Sequence, residues 1–209
     1  MRNLVVAIGR EFGSGGKEIG QKLADRLNIK CYDSELLSIA AKNSGFCEEI
    51  LQKNDEKPTN SFLYSLVMDT YSFGYSSSGF TDMPMNHKVF LAQFDAIKKL
   101  ASEGPCVMVG RCADYALSEY KDCFSVFVHA DTDWRINRLS QKHNKTAKEA
   151  KDMINKTDKS RSSYYNYYTN KKWGAAAGYS LCVDSGVLGI EGAAQAIINT
   201  IHIFDDLKK

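Results

Sequence analysis

The sequence predicts an α/β domain built on a largely parallel sheet, and three observations carry that prediction. Short apolar runs rich in β-branched residues alternate with amphipathic helical stretches along the chain. The first run passes through a glycine-rich turn, Gly13-Ser14-Gly15-Gly16-Lys17, straight into a helical stripe. The conspicuous polar residues Lys17, Asp33, Arg111 and Asp184 stand just past the carboxyl ends of such runs, where parallel sheets bind ligands. At 209 residues the chain suits one domain with a full core.

Asn3 to Ile8 reads as the first buried strand, and Lys17 to Leu27 as the first helix, with Ile19, Leu23 and Leu27 at four-residue spacing. Ile29 to Tyr32 is a short second strand, and Asp33-Ser34 can cap a helix running from Glu35 to Lys42. From Gly45 to His87 the pattern is least regular. Glu48–Gln52 and Phe62–Met68 look helical, while Tyr71–Phe80 is a polar, glycine-spaced loop with aromatics, either a mobile cover over a site or a surface excursion. Val89, Phe90, Phe94, Ile97 and Leu100 stripe a helix from His87 to Glu103, which Gly104-Pro105 ends. Cys106–Val109 is a third strand, leading to Gly110-Arg111, and Cys123–Val128 is a fourth. Asp131 opens a helix with Arg135 and Arg138 on one face, and Thr146 to Glu149 is a capping box that starts a long helix carrying Asp158 and Arg161. Leu181–Val183 is the last strand, before Asp184-Ser185-Gly186, and a helix from Glu191 to about Phe204 closes the chain.

Composition narrows the function classes. A formal charge of +2 gives no electrostatic case for a dedicated nucleic-acid or membrane protein. The six cysteines are scattered, without a C-x-x-C pair or a histidine at ligand spacing, so a cysteine metal site is not expected. The chain enters a strand at once and no apolar run approaches the length of a span, so neither a signal peptide nor a membrane anchor is expected. These features read as a cytoplasmic protein with free thiols.

The chemistry starts at the glycine turn. A strand, a glycine loop ending in Gly-Lys and a helix together form the context of a phosphate-binding loop. Glycines turn backbone N–H groups toward one point, the helix N-terminus adds partial positive charge, and Lys17 would reach the β- and γ-phosphates of a nucleotide. The loop departs from G-x-x-x-x-G-K-[ST], with Glu11 at the first glycine position and Glu18 at the hydroxyl position. The bland alternative is a glycine-rich strand-to-helix turn with no ligand. Arg111 suits a guanidinium gripping an acceptor phosphate by a bidentate contact, or a structural ion pair. Arg135, Arg138 and Arg161 are either solvated helix residues or the charge that phosphoryl transfer needs around the transferred group. The run Tyr164 to Tyr168, with Lys156, Lys159, Lys171, Lys172 and Trp173, admits a single-strand RNA platform, but such aromatics more often pin a helix to its domain.

Assembled, these residues resemble the cytidylate kinase branch of the nucleoside monophosphate kinases, specifically the bacterial cytidylate kinase-like family, over nearly the whole length apart from residues 45–85. The resemblance rests on Gly13 to Lys17, Tyr32-Asp33-Ser34, Gln93, Gly110-Arg111, Phe127 to Ala130 followed by Arg135 and Arg138, Asp158-Lys159-Ser160-Arg161, and Val183-Asp184-Ser185. It implies a three-layer P-loop NTPase fold with a five-stranded parallel sheet. The core would be 1–44, 86–138 and 176–209, the acceptor-side insert 45–85, and the helical lid 139–175. It implies ATP and Mg²⁺ as cofactors and a small phosphorylated acceptor, with no nucleic-acid or membrane partner. Gly13, Ser14, Gly15, Gly16, Lys17, Glu18, Asp184 and Ser185 would bind nucleotide. Asp33, Ser34, Gln93, Arg111 and Asp158 would face the acceptor. Lys17, Arg135, Arg138, Asp158 and Arg161 would be catalytic. No residue is assigned to the metal directly, with Asp33 or Glu11 the candidates to meet it through water. Two departures concern the acceptor: Cys112 stands where the family has Asp after Gly-Arg, and Ile154 where it has a further lid arginine. The rival reading is a nucleotide-binding regulatory or RNA-associated protein that keeps the fold with little turnover, favoured by Glu11 and Glu18.

Overall fold

In the computed structural model, residues 3–45, 49, 55–56 and 84–206 are described. The helices expected at 48–52 and 62–68 and the loop at 71–80 lie outside the described residues, Glu49 apart. Strand β1 (Val5–Arg10) leads to α1 (Gly16–Leu27), β2 (Lys30–Tyr32) and α2 (Glu35–Ser44). Then come α3 (Met85–Glu103), β3 (Cys106–Val109), a one-turn α4 (Ala113–Ala116) and β4 (Cys123–His129). Helices α5 (Thr132–His143) and α6 (Ala147–Thr169), a 3₁₀ turn at Ala176–Gly178, β5 (Leu181–Asp184) and α7 (Ser185–Asp206) complete the order.

The five strands pair in the order β2-β3-β1-β4-β5, every pairing parallel. Alternation along the buried strands sets the layers. Leu4, Val6 and Ile8 pack with Val107, Val109, Phe124, Val126 and Val128 under α1 and α7, whose Ile19, Leu23, Ala193, Ala194, Ile197 and Ile201 cover that face. Val5 and Ala7 face the other way with Cys106 and Met108, beneath Leu36, Ile97, Leu100 and Ala113 of α2, α3 and α4. Two apolar faces on one sheet, each capped by helices, make an α/β/α sandwich.

β1 extends to Arg10, two residues beyond the Asn3–Ile8 run, because Gly9 and Arg10 continue the ladder opposite Phe127 and Val128 of β4. α7 begins at Ser185 rather than Glu191, and a break at Gly189 (φ 67°, ψ 174°) separates its first turn from the main helix. With a mean hydropathy of 1.3 over 18 residues, α7 has the length and composition of a membrane span. One side of it is nonetheless core, through Ala193, Ala194, Ile197, Ile198 and Ile201. α6 carries the expected capping box, Thr146 accepting from the Glu149 N–H. Its C-terminal half is pinned as the aromatic run suggests: Tyr164 and Tyr165 are buried with Phe90 and Cys112, and Tyr168 stacks on Phe90 at 4.1 Å between ring centroids.

Candidate active site

The loop between β1 and α1 turns at Gly13 (φ 85°) and Gly15 (φ 81°). No side chain caps the N-terminus of α1, where Gly15 is the cap residue, so the N–H groups of the first turn face the loop's concavity uncapped. A side chain at Gly15 would also collide with Ile190, whose Cδ1 lies 2.2 Å from the position of a Cβ. Ser14 is buried and donates its hydroxyl to the Glu11 carbonyl at 2.9 Å. Its own carbonyl accepts from the Ser185 hydroxyl at 2.6 Å. Ser185 thus ties the loop to the end of β5, while Asp184 accepts from the N–H groups of Gly186 and Val187 and so caps the first turn of α7.

From the loop, Lys17 reaches across the sheet end. Its Nζ is 2.9 Å from Asp33 Oδ2, and its side chain is 71 % exposed. The other Asp33 oxygen accepts from Arg111 Nη1 at 2.7 Å. One carboxylate therefore joins the loop lysine to the arginine at the end of β3, three residues brought together from the ends of three elements. Burial works to raise the Asp33 pKa, but the charge of Arg111 and the hydrogen bond from Lys17 outweigh it, and the net shift is downward. Ser34 beside it is exposed.

Arg111 stands in an unusual backbone. Gly110, Arg111 and Cys112 are consecutive left-handed residues at φ 81°, 51° and 55°. The two non-glycine residues hold a conformation that costs on the order of 1–3 kcal/mol each, and it folds the Arg111 side chain back over the strand ends. Gly110 has no alternative: a Cβ there would lie 2.1 Å from Arg10 Nη1. Arg111 is 6 % exposed and forks onto Asp55, Nε to Oδ1 at 3.2 Å and Nη2 to Oδ2 at 2.9 Å. Beside it, Glu56 receives Arg10 Nη1 at 2.6 Å and Arg161 Nε at 2.9 Å. Burial opposes its ionisation, but Arg10, Arg161 and Arg111 together hold the Glu56 carboxyl well below the usual carboxylate range.

Several expected site residues have partners other than those anticipated. Gln93 is fully buried, accepting from the Tyr164 hydroxyl at 3.0 Å and donating to Asp55 at 3.2 Å, so it orients Asp55. Asp158 accepts from the Phe12 N–H at 2.7 Å and from Arg135 at 2.6 Å, clamping α6 to the loop. Arg135, 6 % exposed, also donates to the Phe12 carbonyl and lies 3.5 Å from Glu11. Glu11 in turn accepts from the Ala130 N–H at 3.2 Å, and burial pushes its pKa up. Arg138 pairs with Glu18, which Lys142 also holds at 2.5 Å. The carboxylate at the hydroxyl position therefore ties α1 to α5. Ile154 is buried with Leu139 and Ala150, and Cys112 with Tyr164, so both departures from the family pattern are core residues here.

Sequence reasoning missed Arg10, Asp55 and Glu56. The apolar run ends at Ile8, so the pattern leaves Arg10 in the loop, whereas it stands 8 % exposed at the end of β1. Asp55 and Glu56 lie in the irregular stretch, where no periodicity marks a residue as inward-facing.

The profile of the cytidylate kinase-like family matches residues 5–187. The chain belongs to that family. Among solved structures it is similar to an uncharacterized protein from Eubacterium ventriosum, with 29% identity, coverage of 95% of this chain and 98% of that one, and a TM-score of 0.71. It is also similar to shikimate kinase from Bacteroides thetaiotaomicron, at 13% identity over 95% of this chain and 98% of that one, with a TM-score of 0.53. The second likeness is one of fold, and the fold of this cytidylate kinase-like chain is that of the P-loop kinases. No curated protein matches the chain.

Proposed function

We propose that this member of the cytidylate kinase-like family is an ATP-dependent phosphotransferase. It would move the γ-phosphoryl of ATP to a nucleoside monophosphate or a related small phosphorylated acceptor. The observation that carries the reading is the Asp33 carboxylate, held by Lys17 on one oxygen and Arg111 on the other. It spans the gap between a phosphate-binding loop and an anion-binding arginine, which is where a donor and an acceptor phosphate have to meet in line. Lys17 and the uncapped N–H groups of α1 bind the donor phosphates. Arg111 and Arg161 face the acceptor phosphate, and Asp33 positions the lysine and the arginine against each other. Arg135, Asp158 and Ser185 hold the loop in shape, and Arg138 lies beside it: a Cβ on Gly15 would be 3.5 Å from Arg138 Nη2.

Mg²⁺ fits here as a companion of the nucleotide. Among the described residues no group of three His, Cys, Asp or Glu side chains could hold it, and both Asp33 oxygens are engaged. When bound with ATP the ion supplies charge neutralisation between the phosphates. A phosphate acceptor is itself a nucleophile, so the reading calls on no histidine base. With Cys112 and Ile154 both in the core, neither position offers a polar side chain to recognise the rest of the acceptor, and unless residues 71–80 supply such contacts the activity expected is broad or weak on cytidylate and deoxycytidylate. A coupled assay of ATP consumption over a panel of monophosphates tests this. Turnover with several of them supports the reading. A strong preference for cytidylate overturns the acceptor part, and ATP binding without turnover on any acceptor favours the regulatory alternative.

A further inference from the structure

We propose that Glu56 is a built-in competitor for the acceptor's anionic group, and that it confines acceptors to dianions such as phosphomonoesters. The word acceptor rests on the phosphotransferase reading; the competition for the arginines does not. Three arginines from distant parts of the chain converge on this one carboxylate, two through their guanidiniums and one through its backbone. Arg10 comes from the end of β1, Arg161 from α6, and Arg111 offers its backbone N–H 3.5 Å from Glu56 Oε1. Planar guanidinium forks grip phosphate as readily as carboxylate. With Glu56 in place the cleft lined by Arg10, Arg111, Arg161 and Tyr164 keeps about 20 Å³ of free space, room for a single water. An anion therefore enters by replacing Glu56, not by joining it.

The turn is held by its partners rather than by its own preference. Glu56 sits at φ 49°, a left-handed conformation unfavourable for a residue with a Cβ, and Ser160 anchors its carbonyl at 2.9 Å. Charge then decides what displaces it. Among the described residues Arg10 and Arg161 make their ion pairs with Glu56, two cations against one anion, while Lys17 and Arg111 are taken up by Asp33 and Asp55. Exchanging Glu56 for a free monoanion leaves this balance as it was, and the tethered carboxylate has the advantage of high effective concentration. A dianion adds a unit of negative charge where one cation is in excess, and so gains where a monoanion does not. Acceptors bearing only a carboxylate or a sulfate ester are thereby refused.

The test uses the full chain, ¹⁵N-labelled, and follows the Nε–H signal of Arg161 and the backbone amide of Arg111, the N–H groups that meet Glu56, assigned through Arg→Lys variants. Methyl phosphate, a dianion at pH of about 7.5, and methyl sulfate, a monoanion of similar shape, are titrated separately. In the wild type, methyl phosphate is expected to shift both signals and methyl sulfate to leave them in place. In Glu56→Gln the affinity for methyl phosphate should rise about tenfold or more, and methyl sulfate should begin to bind. Ser160→Ala, which loosens the turn while keeping its charge, should shift methyl phosphate affinity the same way by a smaller factor, and decides the matter if Glu56→Gln does not fold. Unchanged or weaker phosphate binding in both variants overturns the proposal, since Glu56 would then be orienting the arginines. Equal binding of the two probes by the wild type overturns it too. ATP added to the same samples reads the Gly15 to Lys17 amides: if these stay still, the phosphotransferase reading fails while the arginine signals still judge Glu56.

Discussion

Lys17 and Arg111 share one carboxylate, yet their substitutions should fail in different ways. Lys17 is largely exposed, and its removal leaves Asp33 still paired with Arg111. Lys17→Ala is therefore expected to keep the fold and lose a charge-assisted phosphate contact of about 1.5–3 kcal/mol, some ten- to a hundredfold in MgATP affinity. Calorimetric titration of ATP with Mg²⁺ checks it, and wild-type affinity in the variant would remove the phosphate-loop assignment. Arg111→Ala leaves Asp33 and Asp55 without their main partner in a buried setting, a loss on the order of 3–5 kcal/mol of stability. Arg111→Lys separates stability from function, because an ammonium keeps the charge but not the fork. It should recover much of the lost urea stability while activity on every phosphorylated acceptor stays low. Recovery of both together would show the bidentate geometry to be irrelevant.

At the scale of elements, the site depends on how α5 and α6 are tied to the loop. Asp158 bonds the Phe12 N–H and Arg135, and Arg135 bonds the Phe12 carbonyl, so one turn of α6 fixes the backbone ahead of the glycines. Asp158→Asn keeps the shape and removes the charge that Arg135 faces. Expected outcomes are faster hydrogen exchange of the residue 11–16 amides and weaker ATP binding, with α6 itself intact; unchanged exchange would mean that the clamp is redundant. The segment 143–173 is expected to close over the phosphoryl group when both substrates bind. Its C-terminal half is already packed, Tyr164 and Tyr165 lying against Phe90 and Cys112, and Asp158 and Arg161 are bonded to the loop and to Glu56, so the movable part is the stretch from His143 to about Asn155. Hydrogen exchange with and without a bisubstrate analogue should show new protection there and none at Tyr164–Thr169. Equal protection of the whole segment in both states would count against closure.

For the molecule as a whole, the strand-end charge network makes stability depend on pH. Asp33 and Glu56 are depressed because their arginine and lysine partners outweigh burial, and Glu18 is depressed first by its hydrogen bond from Lys142. The folded state thus holds fewer protons than the unfolded chain once pH falls through the ordinary values of 4.5 and 3.8. The contribution is complete above those values and is lost as pH drops toward the lower folded ones. Glu11 opposes this, since its raised pKa means that its protonation in acid favours the folded state. Urea midpoints between neutral pH and about pH 3 should fall for the wild type and fall less steeply for Glu56→Gln. Parallel slopes would show that Glu56 is not ionised against its arginines.

The parallel α/β class, the strand at Cys106–Val109, the capped helix at Thr146 and the glycine loop were all legible in the sequence, because each is fixed by near-neighbour chemistry: short β-branched runs, helical stripes, a side chain that caps its own helix. Lys17, Asp33 and Arg111 were legible for a related reason, since the end of a parallel strand places a residue at the ligand edge whatever its partners are. What the side chains there actually bind was not. The three-arginine seat around Glu56, the Gln93 contact to Asp55 and the Asp158 clamp join residues 38 to 146 positions apart, for which no local period exists. Only folding decides which carboxylate meets which guanidinium. A buried charge must find an opposite one, and the sheet, by setting all its carboxyl ends along one edge, determines which are within reach.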